Sequence, residues 1–139
     1  MSERDVLELD DLLEGRHEPG LHRLAGDAPA AEVAGVLGAA DWRVLAVRLD
    51  DASDKGSVLA GIAAAGGFPP WVGANWDALQ DALRDLSWVP AAGYVVLIDG
   101  WDGFAATHPA DADVLRQVLG QAALWWADAG TPFHTLVRA

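Results

Sequence analysis

The sequence predicts an α/β domain in which helices cover a small, mainly parallel sheet of three to four strands. Two short apolar runs, residues 43–49 and 94–98, have the composition of buried strands, and each ends in acids or glycine that mark a turn. Alanine-rich stretches with helical character lie between the apolar runs. Because parallel neighbours in a sheet need helical crossovers between them, this alternation favours a parallel sheet.

The elements can be placed along the chain from the same patterns. The expected strands are residues 20–24, 43–49, 94–98 and 132–137. The expected helices lie at about residues 29–40, 53–65, 75–86 and 110–129. Gly66, Gly93 and Gly130 stand where helices are expected to stop or strands to begin. The first 15 residues fit either a short helix or a mobile acidic tail.

The length and composition indicate one packed domain. A chain of 139 residues with 52% hydrophobic and 22% charged residues has the balance of a globular protein rather than a disordered one. We expect an acidic segment at residues 1–19 and a single domain at 20–139. Within that domain, residues 20–42 are expected to form an N-terminal strand and helix, and residues 43–139 the core.

The charge predicts a cationic partner. Nine Lys and Arg against 21 Asp and Glu give a formal net charge of −12. Such a field repels phosphate backbones and anionic membranes, so we expect no direct binding to nucleic acid or to a membrane. It also accelerates association with a basic protein, and salt screens that effect.

Several classes of site and location are disfavoured. Cysteine is absent, which excludes a disulfide framework, a thiolate nucleophile and a Cys-based zinc site. Residues 56–76 contain no charge, but Gly66-Gly67 and Pro69-Pro70 interrupt them too early for a membrane-spanning helix. The first 15 residues lack the pattern of a signal peptide, so we expect a cytoplasmic protein.

A loop at residues 68–75, bounded by proline and glycine, leads into an amphipathic helix. Asn75 is placed to cap that helix. One face carries Trp76, Leu79, Leu83 and Leu86 at spacings of three and four, which predicts a buried face. Another face carries an acidic stripe at i, i+4 and i+8, formed by Asp77, Asp81 and Asp85.

The acidic stripe admits two interpretations. Asp77 favours the helix dipole, but Asp81 and Asp85 repel each other, so the arrangement mildly costs helix stability. Carboxylates beside an exposed Trp71 resemble a row of phosphates next to a nucleobase, which is the ligand of an enzyme that binds nucleic acid. The alternative is a solvated helix face with a core tryptophan, which composition alone favours.

Residues 68–83, with the sequence FPPWVGANWDALQDAL, are similar to the central loop-and-helix signature of the barstar family. The resemblance covers roughly residues 43–138, and residues 20–40 resemble the N-terminal extension of some bacterial relatives. It implies a small parallel sheet covered by helices, and an intracellular inhibitor of secreted, guanyl-specific ribonucleases of the barnase type.

The resemblance also implies roles for individual residues. Asp81 matches the aspartate that enters the phosphate site of the nuclease, Asp77 its neighbour one turn earlier, and Trp71 an aromatic that covers the catalytic pocket. Gly73 matches a loop glycine that lets the backbone approach the enzyme. The expected partner-binding residues are Trp71, Val72, Gly73, Asn75, Asp77, Gln80, Asp81 and Arg84. Inhibition would be competitive occlusion by a monomer in a 1:1 complex, without catalytic residues, metal or cofactor.

The sequence departs from the family pattern at Val72, Ala74 and Gln80, where the family has an aromatic, an acid and an aromatic. The target can differ accordingly. The closing helix of the family adds acids to the interface, whereas residues 122–126 here carry none and only Asp128 lies nearby. We expect core packing for Trp125.

Two other functions stay open. The chain could be an immunity protein or an interaction module for a different basic toxin. Less favoured is a magnesium-dependent phosphoryl-transfer enzyme, in which acids that follow strands hold the metal: Asp50, Asp51, Asp99 and Asp102. No Gly-rich phosphate loop accompanies these acids, and no histidine has metal-ligand spacing, so turn residues and structural histidines are the simpler interpretation.

Overall fold

The computed structural model describes residues 6–15, 18–50 and 53–139, with five strands and six helices in that part of the chain. The strands are β1 (Val6–Leu7), β2 (Gly20–Leu24), β3 (Trp42–Arg48), β4 (Gly93–Asp99) and β5 (Phe133–Val137). The helices are α1 (Leu9–Leu13), α2 (Ala30–Gly38), α3 (Lys55–Ala65), α4 (Trp76–Asp85), α5 (Trp101–Thr107) and α6 (Pro109–Asp128). None of the described helices is long and apolar enough to cross a membrane.

The strands form one sheet in the order β1-β2-β5-β4-β3, and every neighbouring pair is parallel. This confirms the predicted α/β class. Strand β4 lies between β5 and β3, and residues 93–98 are buried throughout. A strand with neighbours on both edges and helices on both faces has no solvated side, which is why its sequence is an unbroken apolar run rather than an alternating one.

Each face of the sheet has its own helical layer. The odd and even positions of β4 divide between two hydrophobic clusters: Val96 and Ile98 pack with α3, α4, α5 and α6, while Val95 and Leu97 pack with α1 and α2. In the smaller layer, Leu12 of α1 is 1% exposed and joins Val33 and Leu37 of α2. Helices α1 and α2, which precede β3 in the chain, therefore cover one face of the sheet.

The structure adds two elements that the sequence patterns did not predict. Strand β1 has only two residues and cannot show a periodicity. Helix α5 begins directly after β4 and buries Trp101 and Phe104 at i and i+3. Gly100 makes this tight turn possible: its φ is +79°, and a Cβ added there would lie 1.7 Å from the carbonyl oxygen of Leu49.

Candidate partner-binding site

The loop between α3 and α4 rests on a half-buried tryptophan, Trp88. The Trp88 indole Nε1 donates a hydrogen bond of 3.1 Å to the carbonyl oxygen of Gly66, where α3 ends. Phe68 meets the Trp88 ring edge-on with ring centroids 5.6 Å apart, and Trp71 does so at 6.1 Å. Trp71 is nevertheless 71% exposed. The loop thus presents a tryptophan whose ring is supported on one edge and open to solvent elsewhere.

Helix α4 starts where the sequence predicts it. The Asn75 side chain accepts a hydrogen bond of 2.8 Å from the backbone N–H of Ala78, which is an N-cap bond. Asp77 stands in the first turn, near the positive end of the helix dipole. A Cβ at Gly73 would lie 3.3 Å from the Asn75 side-chain nitrogen, so the glycine lets the loop approach its own cap closely.

The two faces of α4 are confirmed. Leu79 and Leu83 are buried at 2% and 0% exposure, and Leu86, which ends the helix with a left-handed backbone, is also fully buried. Trp76 is half-buried. The acidic stripe, Asp77, Asp81 and Asp85, is exposed at all three positions.

One flank of the acidic stripe borders the loop. Successive residues of an α-helix are rotated by about 100°, so Ala78 and Ala82 lie on one side of the stripe, and Gln80 and Arg84 on the other. A groove of about 270 Å³ separates α4 from the loop, and it is lined by Trp71, Val72, Gly73, Ala78, Asp81, Ala82 and Asp85. The groove therefore joins an exposed indole to two of the three carboxylates.

The other flank of the stripe is joined to α6. The Gln80 side-chain amide donates to the side-chain oxygen of Gln121, and the Arg84 guanidinium donates to the same oxygen at 3.2 Å. A further hydrogen bond joins the two helices: the indole Nε1 of Trp126 in α6 donates to the carbonyl oxygen of Leu83 in α4 at 2.6 Å. Gln80 and Arg84 thus already have partners within the chain, unlike the three aspartates, which form no ion pair with any described basic residue.

A comparison with protein families assigns this architecture. The sequence model of the family described as "Barstar (barnase inhibitor)" matches residues 42–138, from the start of β3 to the end of β5. The match contains the whole loop, α4 and α6. The chain belongs to the barstar family. No curated protein matches it.

Family membership gives the coarse role of the domain. Barstar domains are inhibitors rather than enzymes, and their partner is a ribonuclease, so a barnase-inhibitor-like role follows in general terms. The elements that carry the family match are the ones that present the acidic stripe and Trp71. The elements before the matched region have two roles: β1 and β2 extend the sheet, and α1 and α2 cover the face opposite α4.

A larger cavity than this groove lies elsewhere in the described part of the chain. It measures about 700 Å³ and opens at the carboxyl ends of the strands, between residues 26–30, 46–48 and 99–100 and the C-terminal Arg138 and Ala139. Arg138 crosses it with a two-pronged ion pair to Asp99, at 2.6 and 3.0 Å, and this pairing raises the pKa of the arginine. The larger volume does not make this cavity the partner-binding site. Its lining carries acidic and basic side chains in equal number, and two of them, Arg138 and Asp99, pair with each other.

The geometry does not support the magnesium hypothesis. Asp99 is held by Arg138, and Asp102 is held by Arg23 at 2.7 Å, so both carboxylates face guanidinium groups. The Asp50 carboxylate accepts a hydrogen bond from the Ser53 hydroxyl, and the Asp50 backbone N–H donates one to the same hydroxyl oxygen, as is common in a turn. Asp51 lies outside the described residues. Within the described chain, no three His, Cys, Asp or Glu side chains form a group that could hold a metal ion.

The two strand histidines lie in the packed interior of the protein rather than at the candidate site. His22 of β2 and His134 of β5 are buried, with ring centroids 5.9 Å apart, and Trp42 stacks on His134. His22 Nε2 lies 2.7 Å from the carbonyl oxygen of Glu18. Both residues occupy strand positions on the face of the α1–α2 layer, because His22 pairs in register with Leu136 and His134 with Val95. His17 lies outside the described residues.

The prediction for Trp125 is wrong. Trp125 is 45% exposed, and its neighbour Trp126 is the one that packs against the core, through its bond to Leu83 and a ring contact with Tyr94 at 5.0 Å. Sequence reasoning also missed Trp88 and Gln121, which position the loop and the flank of α4. A pattern search within the helix could not find them, because their partners are distant in sequence.

Proposed function

We propose that this barstar domain inhibits a cationic ribonuclease of the barnase type, with the acidic stripe of α4 and Trp71 of the preceding loop occluding the active site. In this proposal Asp81 occupies the phosphate site of the nuclease, Asp77 lies beside it, and Trp71 covers the catalytic pocket. Val72, Gly73 and Asn75 shape the loop. A cytoplasmic location, a monomer in a 1:1 complex and the absence of a cofactor belong to the same proposal.

One observation carries the proposal: an exposed indole and exposed carboxylates that pair with no described basic residue border a single groove. Like charges at i and i+4 each cost a helix about 0.2–0.5 kcal/mol, and α4 contains two such pairs. Arg84, at i+3 from Asp81, offsets only part of this cost, and no described Lys or Arg forms an ion pair with the stripe. Arginines and lysines in a nuclease active site would supply the missing cations through charge-assisted hydrogen bonds.

The charge of the whole chain supports the same partner. A net charge of −12 attracts a basic protein at long range and raises its association rate, with a steep dependence on salt. The same field disfavours a competing RNA substrate near the bound inhibitor.

A second candidate, an immunity protein for a different basic toxin, is favoured by the Gln80 contact. Gln80 stands where the family has an aromatic, and its amide is committed to Gln121. Ala74 is exposed and uncharged in a loop position where the family has an acid. The stripe would still require a cationic pocket, but its immediate surroundings would fit a differently shaped one.

The test is a titration of a purified barnase-type ribonuclease with the parent protein while RNA cleavage is followed, at low and at physiological salt. We expect stoichiometric inhibition. Asp81→Ala should weaken inhibition about 30-fold or more, because truncating one partner of a buried charge pair costs about 2–5 kcal/mol, for which the barnase–barstar complex is itself a standard example. Glu32→Ala, which removes an exposed acid from α2 on the opposite layer, is the matched control and should inhibit like the parent.

Circular dichroism must show that both variants are folded. Trp71→Ala is the second site variant, with Val36→Ala as its control, because Val36 is an exposed apolar residue on α2. Inhibition that survives Asp81→Ala unchanged would refute occlusion by α4. No inhibition by the folded parent at micromolar concentration would refute the barnase-type target and leave the second candidate.

A further inference from the structure

The cavity of about 700 Å³ at the carboxyl ends of the strands, which we call the strand-end cavity, is separate from the acidic stripe. None of its described lining residues belongs to α4. One wall is the segment 26–30, between β2 and α2, which precedes the region matched by the barstar model. The inhibitor role of the family therefore gives this cavity no function, although its volume lies in the range of small-molecule sites.

The topology of the sheet makes the strand-end cavity a favoured place for a ligand. Strand β2 is followed by α2, which packs on one face of the sheet, and strand β4 is followed by α5, which packs on the other. Strand β5 lies between β2 and β4. In open α/β sheets, ligands bind outside the carboxyl ends of the strands, at the point where the connections turn to opposite faces. The cavity lies at that point.

Three charged side chains line the strand-end cavity in a row across neighbouring strands. Arg48 of β3 stands in register with Asp99 of β4. Arg138 follows directly after β5 and bonds to the same Asp99. Side chains alternate along a strand, so Asp99 lies on the same face as Leu97, which packs with the α1–α2 layer. The row is thus arginine, aspartate, arginine on one face of the sheet.

Arg48 is the cation of this row that has no acidic partner in the described chain. Both oxygens of Asp99 accept hydrogen bonds from Arg138, at 2.6 and 3.0 Å, so the charge of Asp99 is already balanced. Arg48 is exposed and forms no ion pair with a described acidic residue. Two arginines and one aspartate leave one positive charge, which an anionic group of a ligand would balance.

Another wall of the cavity carries an acid. Asp27 lies between β2 and α2, is exposed, and forms no ion pair with a described basic residue. Its charge reaches the row: the hydrogen bonds with Asp99 are the main cause that raises the pKa of Arg138, and the charge of Asp27 adds to this effect. The uncharged part of the lining consists of small residues, among them Ala30 and Ala46.

We propose that the strand-end cavity binds a small zwitterion, an α-amino acid or a dipeptide with an apolar side chain. The ligand carboxylate pairs with Arg48, the ligand ammonium group pairs with Asp27, and the apolar side chain covers the alanines of the lining. A simple anion fits less well, because Asp27 and the field of a chain of net charge −12 repel it. A simple cation leaves Arg48 unbalanced. This site is independent of the proposed function.

The experiment is isothermal titration calorimetry of the full chain with leucine and with alanyl-leucine, in the absence of a ribonuclease. We expect saturable binding of at least one of them at millimolar concentration. The N-acetyl derivative of that ligand lacks the ammonium group, and its amide lacks the carboxylate. Each should bind at least about tenfold more weakly, because each loses a charge-assisted hydrogen bond.

Two variants test the assigned residues. Arg48→Gln and Asp27→Asn should each weaken binding at least about tenfold and keep the melting temperature of the parent, since both side chains are exposed. Arg43→Gln is the control for Arg48, because Arg43 is an exposed arginine of the same strand on the opposite face. Asp41→Asn, which changes an exposed acid just before β3, is the control for Asp27. Both controls should bind like the parent.

Nuclear magnetic resonance gives the location of the ligand. Its addition should shift the backbone amide signals of residues 26–30 and 46–48, and shifts confined to α4 and its loop would overturn the proposal. The absence of saturable binding to the folded parent would also overturn it, as would an Arg48→Gln variant or an N-acetyl derivative that binds as tightly as the parent pair. None of these results bears on ribonuclease inhibition, which is measured separately.

Discussion

Replacing the central aspartate of the stripe should stabilise the fold while it removes binding. In Asp81→Asn, the side chain keeps its shape and loses its charge. Asp81 stands at i+4 from Asp77 and at i−4 from Asp85, so one substitution removes both repulsive pairs. The residue is exposed and forms no ion pair with a described basic residue, so little else changes.

The expected gain is modest and can be worked out. Two like-charge pairs cost about 0.4–1 kcal/mol together, and the attraction to Arg84 at i+3 offsets about 0.3 kcal/mol of this. The net gain in the free energy of unfolding is about 0.4 kcal/mol. For a chain of this length that corresponds to a rise in melting temperature of about 1.5 °C. In 1 M salt, where the Debye length is about 3 Å, the gain should largely disappear.

The assay is thermal unfolding followed by circular dichroism, at low salt and in 1 M salt. Asp41→Asn is the matched control, because Asp41 is exposed, lies outside the helices and has no acidic neighbour at i±4. It accounts for the general relief of self-repulsion in a chain of net charge −12. A melting temperature of Asp81→Asn that equals the control's, falls below the parent's, or exceeds the parent's by the same amount in 1 M salt would show that repulsion within the stripe does not destabilise α4.

Three further predictions concern the elements that hold the site. Asn75→Ala should lower the free energy of unfolding by about 1 kcal/mol in urea denaturation, because it removes the N-cap bond of α4; an unchanged urea midpoint would contradict this. Gly100→Ala should cost more than about 3 kcal/mol, since its Cβ would collide with the Leu49 carbonyl at a positive φ; a soluble variant with the parent's melting temperature would be the contrary result. Hydrogen bonds from Ser57 lower the pKa of Asp54, so its carboxylate contributes stability above its ordinary pKa that is lost as the pH falls through the folded value. Asp54→Ala should therefore be destabilised at neutral pH and converge on the parent in acid, and a difference independent of pH would contradict the account.

The local features of the site could be predicted from sequence because they depend on local physics. The Asn75 cap, the buried leucines of α4 and the acidic stripe all follow from spacing within a dozen residues. The strands β3 and β4 follow from apolar runs bounded by turns. The parallel direction of β3 and β4 follows from the helices that connect them.

The surroundings of the site could not be predicted, because they depend on contacts between distant residues. Trp125 and Trp126 are adjacent and chemically identical, so only the rotation of α6 against α4 decides which one is buried. Gln121 meets Gln80 across 41 positions of sequence. Trp88 supports Trp71 from beyond the end of α4. Periodicity within a segment carries no information about these pairs.

If the acidic stripe enters a nuclease active site, a mononucleotide that occupies the same active site must compete with the protein for binding. The apparent dissociation constant of the inhibitor for a barnase-type ribonuclease would be measured over a series of nucleotide concentrations at constant ionic strength. We expect it to rise linearly with nucleotide concentration from its nucleotide-free value, because the two ligands cannot be bound together. An apparent dissociation constant that stays constant while nucleotide saturates the enzyme would show binding elsewhere and contradict the account.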